Sequence, residues 1–370
     1  MKRILVSGLS TQYGGIESII INIVKHIDKR KYKFDFVFSS EDKCKFENVI
    51  EEHGGEIYRV TPWGKNPIKY TRDLKSIFSN NSNYDFIWVN TSSASIIALQ
   101  KLASKYTNAK IIVHSHGTSF ETAGFFKRNL LLMLHKLNYK KFIKLTDLKF
   151  ACSIDASSWL FGKQKTNGQK VHIIKNAIES KKYIYNADMR NKYRQEYGLV
   201  NKFVIIHVGR ITKVKNHSFL IEVFNEISKR NSNSLLMIVG DGDLEQNTRN
   251  KVKTLNLEDK IMFMGPRDDI ANLLQAADIF VLPSLSEGLP LVTIEAQASG
   301  LKSIVSSVVP LEAQITDLVE YCTLEQSAET WAKNILKSKS YERRDTSKEI
   351  ENAGFDIKNV VKEIEDLLLK

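Results

Sequence analysis

The sequence predicts an α/β protein built from two doubly wound domains, each a parallel sheet flanked by helices. Three observations lead there. At 370 residues the chain exceeds what one hydrophobic core organises, which favours two domains of roughly 150 to 200 residues. Short runs rich in Ile, Val and Phe alternate with longer amphipathic stretches from end to end, the pattern of βα units. The alternation halts once, in a polar stretch around Tyr183 to Asn201, and then begins again.

In the first half the expected strands are Arg3–Ser7, Phe34–Phe38, Glu56–Val60, Phe86–Val89, Lys110–His114 and Lys149–Cys152. In the second half they are Phe203–His207, Leu235–Val239, Ile261–Phe263, Ile279–Leu282 and Ser303–Val305. A linker near Asn176 to Ile178 divides the chain into domains 1–177 and 178–355. The remainder, 356–370, carries Ile357, Val361, Ile364 and Leu368 at helical spacing, a C-terminal helix that could pack back on the first domain.

Composition narrows the class. With 42% apolar and 26% charged residues the chain is an ordinary globular protein, neither disordered nor fibrous. MKRILVSGLS lacks the long apolar stretch of a signal peptide, and no run approaches the ~20 apolar residues of a spanning helix, so the cytoplasmic side is expected. Cys44, Cys152 and Cys322 are odd in number and widely spaced, against a disulfide framework or a zinc site. The 54 Lys and Arg exceed the 42 acids by 12, which suits an anionic partner: a nucleotide diphosphate, an acidic membrane or nucleic acid.

The most informative segment is EGLPLVTIE, 287–295. A strand ends near Leu282, Pro283 breaks the pattern, and a turn through Ser284 to Gly288 leads to Pro290, a residue favoured at the start of a helix. Glu287 then sits on the loop and Glu295 on the helix, at the carboxyl end of a parallel strand, where open α/β sheets bind ligands. The N–H groups of Leu289, Leu291 and Val292 face outward at the helix start and suit phosphate oxygens, and the carboxylates suit sugar hydroxyls.

EGLPLVTIEAQASG resembles glycosyltransferase family 4 of the GT-B fold, whose marker is two glutamates separated by seven residues, with the small-residue tail ending here in Gly300. The resemblance implies two Rossmann-like domains facing across a cleft, the first binding the acceptor and the second a nucleotide sugar. It assigns Glu287 to the donor sugar, with Gly288 and Leu289 beside it, and Glu295 to the ribose hydroxyls. After FVIIH, Arg210 and Lys215 precede a helix beginning near Asn216 and match the family's glycine, basic residue and lysine. Two cations at a helix N-terminus suit a departing diphosphate.

Further along, Gly240 and Gly242 mark a tight turn or a close ligand approach, and Asp241 and Asp243 read as turn and N-cap residues rather than a metal-binding DxD. The family resemblance places Gly265, Pro266 and Arg267 near the nucleotide base. In the first domain, Gly14 and Gly15 precede an apolar helix with Glu17 close behind, matching the family's glycine pair and glutamate at a site of close backbone approach. HSHGTSF offers His116, where the family holds a histidine facing the donor sugar, with His114 the lesser candidate. No cofactor or metal is expected.

FFKRNLLLMLHKLNYKKFIK, Phe125 to Lys144, holds six Lys or Arg and no acid. On a helical wheel Leu130, Met133, Leu134 and Leu137 share a face, while Leu131 and Leu132 fall among polar positions. Peripheral docking on anionic lipid and a core helix with a basic rim both fit.

The expected function is retaining transfer of a hexosyl unit from an NDP-sugar, preferably UDP-linked, to a glycan or lipid-linked saccharide in surface polysaccharide or exopolysaccharide assembly. The rivals are a nucleotide-sugar epimerase or a pyridoxal-dependent phosphorylase of the same architecture. A basic nucleic-acid-binding protein is a third, against which stands the absence of a recognisable nucleic-acid module.

Overall fold

The computed structural model describes residues 1–12, 14–117, 124–162 and 170–369, apart from the side chains of Phe125 and Phe126. The chain forms two compact units, Met1–Ala177 with Ile357–Lys370, and Ile178–Asp356.

The first unit is a parallel sheet of β1 (Lys2–Ser7), β2 (Tyr32–Phe38), β3 (Ile57–Arg59), β4 (Phe86–Asn90), β5 (Lys110–Ser115), β6 (Leu148–Ala151) and β7 (Val171–Ile173), in the order β3-β2-β1-β4-β5-β6-β7. Both faces are covered, so the central strands read as continuous apolar runs. Ile4, Val6, Phe36, Trp88 and Ile112 enter one core, and their neighbours Leu5, Val37, Ile87 and Ile111 enter the other.

The second unit repeats the plan with β8 (Phe203–Val208), β9 (Ser234–Val239), β10 (Ile261–Gly265), β11 (Ile279–Leu282), β12 (Lys302–Ser306) and β13 (Val319–Cys322), all parallel, in the order β10-β9-β8-β11-β12-β13. Strands β7 and β13 lie outside the sequence expectation. Both are short edge strands, and half of their residues or more are only partly buried, which removes the apolar run that would have announced them.

The polar stretch 183–201 contains a helix, Ala187–Glu196, with no buried residue and hence no apolar stripe to reveal it. Polar contacts attach it instead. Arg190 donates to the backbone oxygens of Gln275 and Ala277 at 3.0 and 2.6 Å, and both Arg190 and Arg194 pair with Asp278. Asp278 also accepts from the N–H of Val204 at 2.7 Å, which ties this helix to the start of β8.

The C-terminal helix, Ile357–Leu369, belongs to the first unit. Its Ile357, Val361, Ile364 and Leu368 lie in the same core as Ile20, Ile23 and Val24 of the helix Gly15–His26. Lys2 Nζ donates to the Leu368 carbonyl at 2.5 Å. The first unit is therefore built from both ends of the chain.

Ile364 is fully buried, so Ile364→Ala is expected to destabilise the first unit by roughly 2 to 4 kcal/mol, the usual cost of a large-to-small change in a packed core. Urea unfolding followed by limited proteolysis, mapped to each unit, measures it; a change below about 1 kcal/mol would show that the helix is dispensable.

Candidate active site

In each sheet the strand order reverses once, between β1 and β4 and between β8 and β11. Loops leaving adjacent strands diverge at such a point, and the opening between them is where open α/β sheets accept ligands. In the second unit those loops carry Arg210 and Lys215 on one side and Glu287 on the other.

Two contacts bring the loops together before any charge acts. The N–H of Leu285 donates to the Val214 carbonyl at 2.7 Å, and Asn216 Nδ2 donates to the Pro283 carbonyl at 3.1 Å. Asn216 sits in the left-handed region at φ 56° as N-cap of the helix His217–Arg230, a conformation asparagine tolerates. Lys215 Nζ then meets Glu287 Oε1 at 2.6 Å, with side chains 20% and 10% exposed. One ammonium N–H is engaged, and among the described residues the other two have no acceptor. Arg210 is exposed, and among the described residues its guanidinium has no hydrogen-bond or ion-pair partner.

Two histidines behind this pair were not anticipated from sequence. His207 in β8 and His217 at the first helical turn meet edge to face, with ring centroids 4.5 Å apart and both rings buried. His207 Nδ1 lies 2.9 Å from the Val281 carbonyl, which can only accept, so Nδ1 carries the proton and Nε2 keeps a lone pair. Burial drives the pKa of His207 well down. It also lowers His217, with help from Lys215, to about 4. Both imidazoles are thus neutral at pH 7 and leave the cationic character of the site to Lys215 and Arg210.

Glycines fix the loop that carries Arg210. A Cβ on Gly240 would come within 2.2 Å of the Gly209 carbonyl oxygen, and one on Gly242 within 2.4 Å of the Ile211 carbonyl oxygen. The close approach is to a neighbouring loop, braced by Ile211 N–H to the Asp241 carbonyl at 2.7 Å. Asp241 and Asp243 are exposed, and the following helix, Glu245–Thr254, is capped by Leu244 without a side-chain bond, so Asp243 is not its N-cap. Gly265 takes φ 64° at the end of β10. Arg267, placed by sequence near the base, is already committed: Nε and Nη2 donate to Asp269 at 2.8 Å each and Nη2 to the Tyr197 hydroxyl at 3.0 Å, leaving Nη1 uncommitted.

On the β11 side, Pro290 is the N-cap and Leu291 the first residue of the helix Leu291–Ala298, one position later than the sequence suggested. Among the described residues the N–H groups of Leu289, Leu291 and Val292 have no backbone acceptor, and Gly288 is exposed. Glu295 is half-buried on this helix. Burial of its carboxyl group raises its pKa, partly countered by a hydrogen bond from the Tyr183 hydroxyl and by Lys182. Tyr183, on the short helix Ser180–Tyr183, is a partner of this candidate residue that sequence reasoning missed, since it lies in a stretch read only as polar. Gly300 ends the helix at φ 63°, where a Cβ would meet the Arg344 carbonyl oxygen at 2.4 Å.

The first unit has a constellation of its own at its switch point. Gly8, at φ 86°, approaches β4 so closely that a Cβ would lie 1.9 Å from the Asn90 carbonyl oxygen. Asn90 Nδ2 donates to the Ser7 carbonyl at 3.0 Å, which orients the amide and leaves Oδ1 to accept from His116 Nε2 at 2.8 Å. His116 therefore keeps its lone pair on Nδ1, which has no partner among the described residues. Burial lowers its pKa to about 3. His116 is half-buried just past β5, whereas His114 is fully buried among Trp88 and Phe150. That places His114 in the core. The rest of HSHGTSF, from Thr118 on, lies outside the described residues.

Glu17 is buried, and its Oε1 accepts from the Ser10 N–H at 2.7 Å, holding the loop after β1. Gly14 is the N-cap of the helix that Gly15 opens; both are exposed, and nothing lies within 4 Å of where a Cβ on Gly15 would stand.

Residues 13–182 match the sequence profile of Glycosyltransferase Family 4, and residues 189–355 that of Glycosyl transferases group 1. The chain belongs to the family 4 glycosyltransferases. A Bacillus subtilis protein named "Putative glycosyltransferase EpsF" is 29% identical over 344 residues, 91% of this chain and 88% of that protein. An Escherichia coli enzyme named UDP-Gal:alpha-D-GlcNAc-diphosphoundecaprenol alpha-1,3-galactosyltransferase is 30% identical over 254 residues, 65% of this chain and 64% of its own. Among solved structures, Anabaena Alr3699/HepE in complex with UDP and glucose superposes with a TM-score of 0.75 at 19% identity, with all of both chains covered, which gives this glycosyltransferase the GT-B fold.

This geometry gives two expected outcomes. In Gly8→Ala the clash and the positive φ are expected to cost the glycosyltransferase about 2 kcal/mol or more, read from urea midpoints; an unchanged midpoint would show that the loop relaxes freely. The histidine effect is pH-dependent. A neutral buried His217 with folded pKa about 4 and unfolded pKa ~6.5 contributes fully above 6.5 and loses stability as pH falls toward 4. His217→Asn should therefore shrink the stability difference between pH 7 and pH 5 by roughly 2 kcal/mol. The same difference in both proteins would contradict the buried neutral ring.

Proposed function

We propose that this glycosyltransferase transfers a hexosyl unit, with retention of anomeric configuration, from a UDP-sugar to a glycan or lipid-linked saccharide in surface polysaccharide assembly. The observation that carries the reading is the Lys215–Glu287 pair on the two loops that also carry Arg210, unpaired among the described residues, and the N–H groups of Leu289, Leu291 and Val292, which have no backbone acceptor among them. This set is suited to a diphosphate leaving group. Lys215 and Arg210 answer the charge that grows as the sugar departs, which is where preorganised donors lower a barrier most. Because side-chain cations carry that charge, activity should persist in EDTA.

Glu287 is suited to holding donor hydroxyls rather than to attacking the anomeric carbon, because an ion-paired carboxylate is a weakened nucleophile. Glu295 is suited to the ribose hydroxyls. On the first unit, the free Nδ1 of His116 can accept from a sugar hydroxyl, and Gly14 and Gly15 allow close backbone approach. The named activity of the E. coli relative supports a UDP-linked donor and a lipid-diphosphate-linked acceptor, and with it work at the inner membrane face.

The test is NDP release from UDP-, GDP- and ADP-sugars with and without a lipid-diphosphate-linked saccharide. Lys215→Ala and Glu287→Ala are each expected to lower acceptor-dependent release by 100-fold or more, on the order of 3 kcal/mol of transition-state stabilisation. Full activity in either variant defeats the assignment, and sugar conversion without acceptor would point to an epimerase.

A further inference from the structure

The helix Phe125–Lys144 turns an unusual face outward. Inward, Asn138 donates to the Ser95 carbonyl at 3.0 Å, His135 Nδ1 accepts from the Ala94 N–H at 3.1 Å, and Phe142 and Ile143 enter the core. Outward lie Leu130, Met133 and Leu137, 52%, 52% and 71% exposed. Spaced three and four apart, they form one stripe. By sequence Leu131 and Leu132 are the misplaced leucines; in the structure both are half-buried, and it is the regular stripe that lacks a partner among the described residues.

Charge surrounds that stripe. At ~100° per residue, Lys136 and Lys140 flank it on one side, Lys127 and Lys141 on the other, and Lys144 continues its line. These five and Arg128 are exposed, and among the described residues none has an ion-pair partner. No acid occurs on the helix. Lysine stems can lie along apolar surface while their ammonium groups reach outward, so a central apolar stripe with lysines on both sides fits an interface of acyl chains below and phosphates above. A protein partner would have to supply opposing acids around an apolar groove. A bilayer of anionic lipid supplies both properties at once.

We infer that this face docks the enzyme on an anionic membrane, with Leu130, Met133 and Leu137 entering the headgroup boundary and Lys127, Lys136, Lys140, Lys141 and Lys144 contacting lipid phosphates. The inference extends the lipid-linked acceptor reading to the surface that reaches the lipid, and it rests on that reading only for its purpose.

The full chain is pelleted with phosphatidylcholine vesicles, with and without phosphatidylglycerol. Binding is expected only with the anionic lipid and should weaken as salt rises. A charge variant, Lys136→Glu with Lys140→Glu and Lys141→Glu, and an apolar variant, Leu130→Ser with Met133→Ser and Leu137→Ser, should each lose binding by tenfold or more. Both should retain NDP release from donor in solution. Equal binding to both vesicles, or undiminished binding in the variants, overturns the proposal, as does a dimer by light scattering that both variants dissolve. Vesicle binding without NDP release from any sugar would remove the donor reading and leave this one standing.

Discussion

A parallel sheet whose strand order reverses has one place where neighbouring loops part, and both units of this glycosyltransferase place candidate site residues there. The constraint acts through the backbone. At β1 and β4 the chain passes so close that only glycine fits at position 8, and beside β8 the loop 209–211 lies against Gly240 and Gly242. Such contacts leave the loops little freedom. Once Val214 and Leu285 are hydrogen-bonded across the opening, Lys215 and Glu287 meet with few alternatives.

That ion pair is poorly explained by stability. With side chains 20% and 10% exposed, the cost of removing both charges from water offsets much of their attraction. Its value is positional. Glu287 holds the Lys215 side chain against the Gly209 backbone, and the neutral His207 and His217 support the wall behind without adding charge of their own. Burial keeps these rings uncharged, so the cations facing a ligand are those the loops present.

How far the sequence revealed this depends on the kind of signal. Strands buried on both faces announced themselves as apolar runs, and the C-terminal helix as a four-three-four pattern. The helix Ala187–Glu196 was invisible because it is held by Arg190 and Arg194 on backbone oxygens and Asp278, and such bonds leave no periodicity. Motif spacing singled out Glu287, Glu295, Arg210 and Lys215 as candidates, of which the structure pairs Lys215 with Glu287. Tyr183 lies more than a hundred positions before Glu295 and reaches it only through the packing of two helices, and His217 lies beside His207 only because a strand and a helix fold together. Arg267 shows the converse: a cation in a suggestive loop can be spent on a neighbouring acid.

The two glutamates of the motif also differ in electrical character. Glu287 is paired with the Lys215 ammonium at 2.6 Å. Glu295 lies where burial raises its pKa, and it already accepts from the Tyr183 phenol. A carboxyl group in that setting still accepts hydrogen bonds from hydroxyls, while charge lost to protonation would reduce its repulsion of a nearby diphosphate. In the proposed reading this is why the second glutamate serves the ribose: it recognises two hydroxyls without opposing the phosphates that Lys215 and Arg210 attract. The spacing of eight residues thus sets one glutamate against the Lys215 ammonium and the other against the Tyr183 phenol, and the fold gives the two carboxylates different partners.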